Sequence, residues 1–148
     1  MDERVIKYYR QLLKNGFKYA GSIENPSIYL DSIGEKIRIC GSSTRNFMHV
    51  YINIVDDKID EVKYLCTCDP TANVVVEILC SLLQGKTIWE AEALTKDSFI
   101  NTLGTRGVDF VKKSRGILEL LNRGLERWKA GIKNSAPGGA IFDKRKRA

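Results

Sequence analysis

Four cysteines are the residues of this 148-residue chain best suited to chemistry: Cys40, Cys66, Cys68 and Cys80. Cys66 and Cys68 form a C-x-C pair in the run V62-K-Y-L-C-T-C-D-P-T-A. Val62, Tyr64 and Cys66 alternate as on a strand, and Asp69-Pro70 is written as a helix start, with aspartate as N-cap and proline in the first helical position. Cys68 then sits just outside a helix N-terminus, where unpaired amide donors and the helix dipole favour a thiolate. Cys66, two residues back, is expected to point to the same side. Cys40 opens a small-residue loop, Cys40-Gly41-Ser42-Ser43-Thr44, at the end of a neighbouring strand. Thiolates are soft ligands, so Cys40, Cys66 and Cys68, with Asp69 as an oxygen donor, could converge on zinc or iron. The alternative is that the C-x-C pair simply packs at a strand end. Cys80 falls in an apolar helix and is expected to act as a small core side chain.

The elements that would hold these residues follow from periodicity. Residues 3–14 form an amphipathic helix, with Val5, Ile6, Tyr9, Leu12 and Leu13 on one face and Arg4, Lys7, Arg10 and Lys14 on the other; Asn15-Gly16 ends it. Ile28 and Leu30, then Ile37 and Ile39, predict two short strands with Gly34 in the turn between them. Phe47 to Val55 alternates again, and Asp56-Asp57-Lys58 is a tight turn into the Val62–Cys66 strand. The helix from Pro70 is apolar almost all round (Ala72, Val74, Val75, Val76, Ile78, Leu79) and so is expected to be buried, ending at Gly85. Thr87 and Glu90 form a capping box, Thr95 or Asp97 starts another helix that stops at Gly104, and a last helix runs over roughly 108–132. A sheet of consecutive short strands followed by helices predicts an α+β fold: a small antiparallel sheet covered by helices, with an N-terminal helix and a C-terminal helical half.

Composition narrows the function classes. The hydrophobic fraction of 43% and charged fraction of 28% are those of a soluble globular domain. No apolar run approaches the roughly 18–20 residues a spanning helix needs, and M-D-E-R-V-I-K has no apolar signal region, which predicts a cytoplasmic protein without a membrane partner. In that compartment the cysteines are expected to be thiols or metal ligands in preference to disulfides. The net charge is +6, of which +4 lies in residues 133–148, so the body is not a basic platform and nucleic acid is not the expected partner. Residues 1–132 are read as one domain and 133–148 as a basic, disordered tail. The single histidine, His49, is expected on a strand surface. G85-K-T follows a helix instead of opening one, so it does not make a phosphate loop.

The order of C40-G-S, a β-hairpin, a cysteine at a strand-to-helix corner and then G85-K-T-I-W-E-A resembles the NifU/IscU-type iron–sulfur cluster assembly scaffolds. F17-K-Y-A-G-S-I-E-N-P is similar to the family's entry segment, and the likeness covers about residues 3–132. Relative to the family pattern, Ser42 replaces the acid of the Cys-Gly-Asp loop, and the third cysteine position falls near Ser114-Arg115. An ungapped match places Asp69 on the second cysteine position, and a one-residue shift restores Cys68. The resemblance implies a non-enzymatic scaffold or carrier. It would bind iron and a transient [2Fe–2S] cluster through Cys40, Cys66 and Cys68, with zinc as a stand-in in the isolated protein. It also implies a cysteine desulfurase and apo iron–sulfur acceptor proteins as partners, with the oligomeric state left open. The alternative is a degenerate relative that keeps the fold as a protein-interaction or single-zinc module.

Overall fold

The computed structural model describes residues 2–40 and 46–131. Its elements are α1 (Glu3–Asn15), β1 (Ile28–Asp31), β2 (Met48–Val55), β3 (Lys58–Cys66), α2 (Pro70–Leu83), α3 (Ile88–Glu92), α4 (Lys96–Leu103) and α5 (Val108–Lys129). The strands form one antiparallel sheet in the order β1-β2-β3. Leu30 pairs with Val50 and Val50 with Tyr64, while Ile28 pairs with Ile52 and Ile52 with Val62. Because side chains alternate along a strand, this register puts all of these residues on one face, where each is buried. The expected α+β architecture is therefore what the chain adopts.

The turn between β2 and β3 explains why β3 begins four residues before the expected Val62. Asp56 and Asp57 both have positive φ, 52° and 61°. Left-handed geometry at both central positions is that of the two-residue hairpin turn matching the twist of the flanking strands. Strand pairing thus starts at once, with Val55 opposite Lys58.

Helix α2 covers β3 and also packs on α1 and α5. Its residues from Val74 to Cys80 are all buried, which fits the apolar run, with one exception that the run conceals. Glu77 is also buried, and the Tyr64 hydroxyl donates a 2.9 Å hydrogen bond to its carboxylate. The Thr87–Glu90 capping box forms as expected, with Glu90 N–H donating to Thr87 Oγ1 (3.1 Å) and Thr87 N–H to Glu90 Oε1 (2.9 Å).

The strand expected at Ile37 and Ile39 is absent. That segment instead lies along α5, with Ile39 buried. A Cβ added at Gly116 would stand 2.9 Å from Ile37 Cγ2 and 3.0 Å from Ile39 Cγ1. At Gly124 it would stand 2.5 Å from Leu30 Cδ2. The two glycines of α5, which weaken an isolated helix, are what allow it to approach β1 and this segment so closely. Helix α5 ends at Lys129, and the basic tail lies outside the described residues.

Candidate functional site

The 32–40 segment returns along α5, and β3 ends at Cys66, so both deliver cysteines to the start of α2. Cys40 and Cys68, 28 residues apart in sequence, have Cα atoms 5.1 Å apart and are joined as a disulfide. That spacing is well inside the range over which two cysteines can bond. The expectation of unpaired thiols is corrected for this pair, because their Cα spacing brings the two sulfurs within bonding reach.

The corner is fixed by main-chain bonds. Thr67 N–H donates to the Phe47 carbonyl (3.0 Å), Phe47 N–H donates to Thr67 Oγ1 (3.0 Å), and Cys68 Sγ lies 3.3 Å from the same Phe47 carbonyl oxygen. Asn73 Nδ2 donates to the carbonyls of Cys68 and Asp69, each at 3.1 Å. Asp69 caps α2 as expected, its Oδ1 accepting from Ala72 N–H at 2.8 Å.

The other cysteines are held differently. Cys66 is partly buried against the core and is not part of the pair. Burial pushes its thiol up to about 11, the nearby Asp69 charge adds to this, and the Cys68 backbone N–H opposes it. Cys80 is fully buried, and its thiol is pushed well up, first by burial and then by the charge of Glu77. A thiol is a poor ligand until it loses its proton. Cys40, Cys66 and Cys68 are all partly buried, and Cys80 alone is sealed in the core.

At the position where the family's third cysteine is expected, Ser114 is fully buried and its hydroxyl donates to the Phe110 carbonyl at 2.8 Å. Its neighbour Lys113 faces the corner. Lys113 Nζ bonds Asp109 Oδ1 at 2.9 Å and lies 3.8 Å from Asp69 Oδ2, with its side chain 9% exposed. Asp69 is thus engaged on both oxygens. Among the described residues no three of histidine, cysteine, aspartate and glutamate converge as a metal site. The single histidine, His49, sits half-buried on the sheet's outer face, 3.5 Å from Asp31 and stacked on Phe47.

Asp69 also lines a cavity of about 500 Å³ with Asp2, Val5, Thr71, Asp109 and Phe110. Three helix starts meet around it. Asp2 caps α1 through Arg4 N–H (2.8 Å) and accepts from the Thr105 hydroxyl (2.5 Å), which holds its carboxyl below the usual carboxylate range. Sequence reasoning passed over Asp2, although an aspartate just before an amphipathic run is a cap signal. Lys113 was missed for a different reason: its partner Asp69 is 44 residues away, and no local pattern links them.

With this geometry in view, two solved structures are informative in different degrees. One is named as an iron–sulfur cluster assembly scaffold protein for the SUF system of the thermophile Fervidobacterium islandicum AW-1. It superposes with a TM-score of 0.59 at 20% identity, over 84% of this chain and 96% of that one. The chain shares the fold of that scaffold protein. The second, the N-terminal part of a nitrogen-fixing NifU-like protein from Brucella abortus, gives a TM-score of 0.48 at 11% identity, over 99% of this chain and 94% of that one. No protein-family model matches the sequence, and no curated protein matches it. No helix among the described residues is long and apolar enough to cross a membrane.

Proposed function

We propose that this chain is an iron–sulfur cluster assembly scaffold or carrier whose cargo is held by Cys40 and Cys68. The observation that carries this reading is the convergence of two thiols from separate loops, 5.1 Å apart at Cα, at the start of a buried helix. The shared fold with the SUF scaffold supports it.

The pair is poised to bind after reduction. A dithiol reductant gives two electrons and two protons to the disulfide, yielding two thiols. Loading of iron then displaces those two protons. Cys68 lies at the N-terminus of α2, where Asp69, Asn73 and Thr67 hold its backbone in place. Cys66, expected as a third ligand, lies outside the Cys40–Cys68 pair, and burial pushes its thiol up to about 11. Asp69, expected as an oxygen ligand, serves as helix cap and as partner of Lys113. In this reading the protein acts as a carrier of its cargo. A cysteine desulfurase supplying sulfur and apo-proteins taking the cluster are the partners this role requires.

Anaerobic reconstitution of reduced protein with ferrous iron and sulfide tests the reading. Visible charge-transfer bands should appear and be lost in Cys40→Ala and in Cys68→Ala, but persist in Cys66→Ala and Cys80→Ala. Retention of only a single zinc, with no iron–sulfur bands under any condition, would favour the zinc module instead.

A further inference from the structure

The chain as a whole is basic, yet one end of the fold carries the opposite sign. The β2–β3 hairpin and α3 meet there: Ile88 N–H donates to the Asp57 carbonyl (3.0 Å), and Lys58 forms an antiparallel bridge with Thr87. Residues 56–61 and 86–92 together carry Asp56, Asp57, Asp60, Glu61, Glu90 and Glu92 against Lys58 and Lys86. Two large apolar side chains also stand exposed at this end, Trp89 at 58% and Val55 at 50%. Val55 pairs with Lys58, Lys58 bridges to Thr87, and Trp89 follows two residues later. Tryptophan is among the residue types most enriched at binding hot spots, and here it lies on the surface inside the G85-K-T-I-W-E-A run. The thiol corner does not use it. Cys68 precedes α2, and this patch follows the end of that 14-residue helix, about 21 Å away by helical rise.

The basic tail starts beside the patch. Lys129, in the last turn of α5, pairs with Glu92 of α3, and Gly131 follows two residues on. Lys144 lies 13 residues beyond Gly131, so the run Lys144-Arg145-Lys146-Arg147 can reach any point within about 43 Å of the helix end.

We infer that this acidic, tryptophan-bearing end of the fold is a docking site for the chain's own tail, the segment I141-F-D-K-R-K-R. Its chemistry matches the patch in both respects. A guanidinium or ammonium group is attracted to the face of an exposed indole, and the hairpin carboxylates pair with the remaining cations. Ile141 and Phe142 bring apolar surface to cover Val55. Exposed ion pairs are individually weak, but patch and tail belong to one chain, so the contact forms at high effective concentration. The docking lies at the far end of α2 from Cys68 and does not depend on what Cys40 and Cys68 hold.

Carbodiimide cross-linking of the dilute full-length protein, read by peptide mass spectrometry, tests this, because the reagent joins a lysine amine only to a carboxylate in direct contact. The expected products are links within one chain from Lys144 and Lys146 to the carboxylates of residues 56–61 and 90–92. Their yield should fall about threefold in Trp89→Ala, through loss of the indole face. It should fall further at about 0.5 M salt, where exposed charges are screened. As a second readout, acrylamide quenching of Trp89 in full-length Trp128→Phe should increase when residues 144–147 are all replaced by glutamine. Links that fall instead on carboxylates elsewhere in the fold would overturn the inference. So would links that join two chains in a mixture of light and heavy-isotope protein, or Trp89 quenching that is equal with and without the basic run. None of these readouts involves the thiols, so a failed docking leaves the scaffold reading standing, and a failed cluster loading leaves the docking standing.

Discussion

Two groups of titratable side chains, one at the start of α2 and one roughly two to three turns along it, are held in opposite ways. At its start, Cys68 meets Cys40, and Asp69 meets Lys113. Midway along, Glu77 and Cys80 are sealed in the core, Glu77 holding the Tyr64 hydroxyl. The Tyr64 hydroxyl is pushed far up, first by burial and then by the Glu77 charge. The same residue types are partly exposed in one place and sealed in the other. What separates them is distance from the helix terminus: the first turn offers free amides and solvent, and the middle offers neither.

The largest effect that would break this contrast comes from the core. Val75→Asp should leave an unpaired charge among fully buried residues and unfold the domain, a loss of several kcal/mol readable as collapse of the thermal transition. A variant that melts like the parent would mean that α2 is not the central helix.

Next comes the corner. Cys68→Ala should lower iron uptake by about tenfold or more, equivalent to about 1.4 kcal/mol, while leaving the melting temperature of the reduced protein nearly unchanged. The sealed layer should show the reverse. Tyr64→Phe removes the donor to Glu77 and should cost about 1–3 kcal/mol in denaturant unfolding without altering iron uptake.

These expectations also show what could be read from the residues. The alternating apolar faces of β1, β2 and β3, the Asp69-Pro70 start and the Thr87–Glu90 box were all legible, because each is a local rule acting within a few positions. Glu77 was hidden by the apolar residues around it, since its partner Tyr64 lies on another element. Ile37 and Ile39 alternate like a strand, but the glycines of α5, far along the chain, decide where they pack. That Cys40 and Cys68 approach each other could be anticipated from loop and cap signals, whereas which cysteine of the C-x-C pair Cys40 meets is decided only by how the two segments pack. The meeting of Lys113 with Asp69, 44 residues away, is visible only in three dimensions.

The smallest effect sharpens the difference between Cys66 and Cys68. With its thiol pushed up to about 11, Cys66 in the reduced protein should alkylate slowly at pH 8, its rate rising about tenfold per pH unit toward that value. The sign for stability follows. A raised thiol pKa favours the folded state fully below the ordinary thiol value, about 8.5, and that contribution is lost as pH rises through about 11. Cys66→Ala should therefore flatten the alkaline fall in stability, as followed by denaturant midpoints between pH 8 and 11.

The shared thiolate site is tested most directly by alkylation of each cysteine, read by mass spectrometry, before and after anaerobic loading with iron and sulfide. In the reduced, cargo-free protein Cys40 and Cys68 should react quickly, and Cys66 and Cys80 slowly. After loading, Cys40 and Cys68 should become protected together, with Cys66 and Cys80 unchanged. Protection that reaches Cys66, or that leaves either Cys40 or Cys68 reactive in the loaded protein, would contradict a cargo held by that pair.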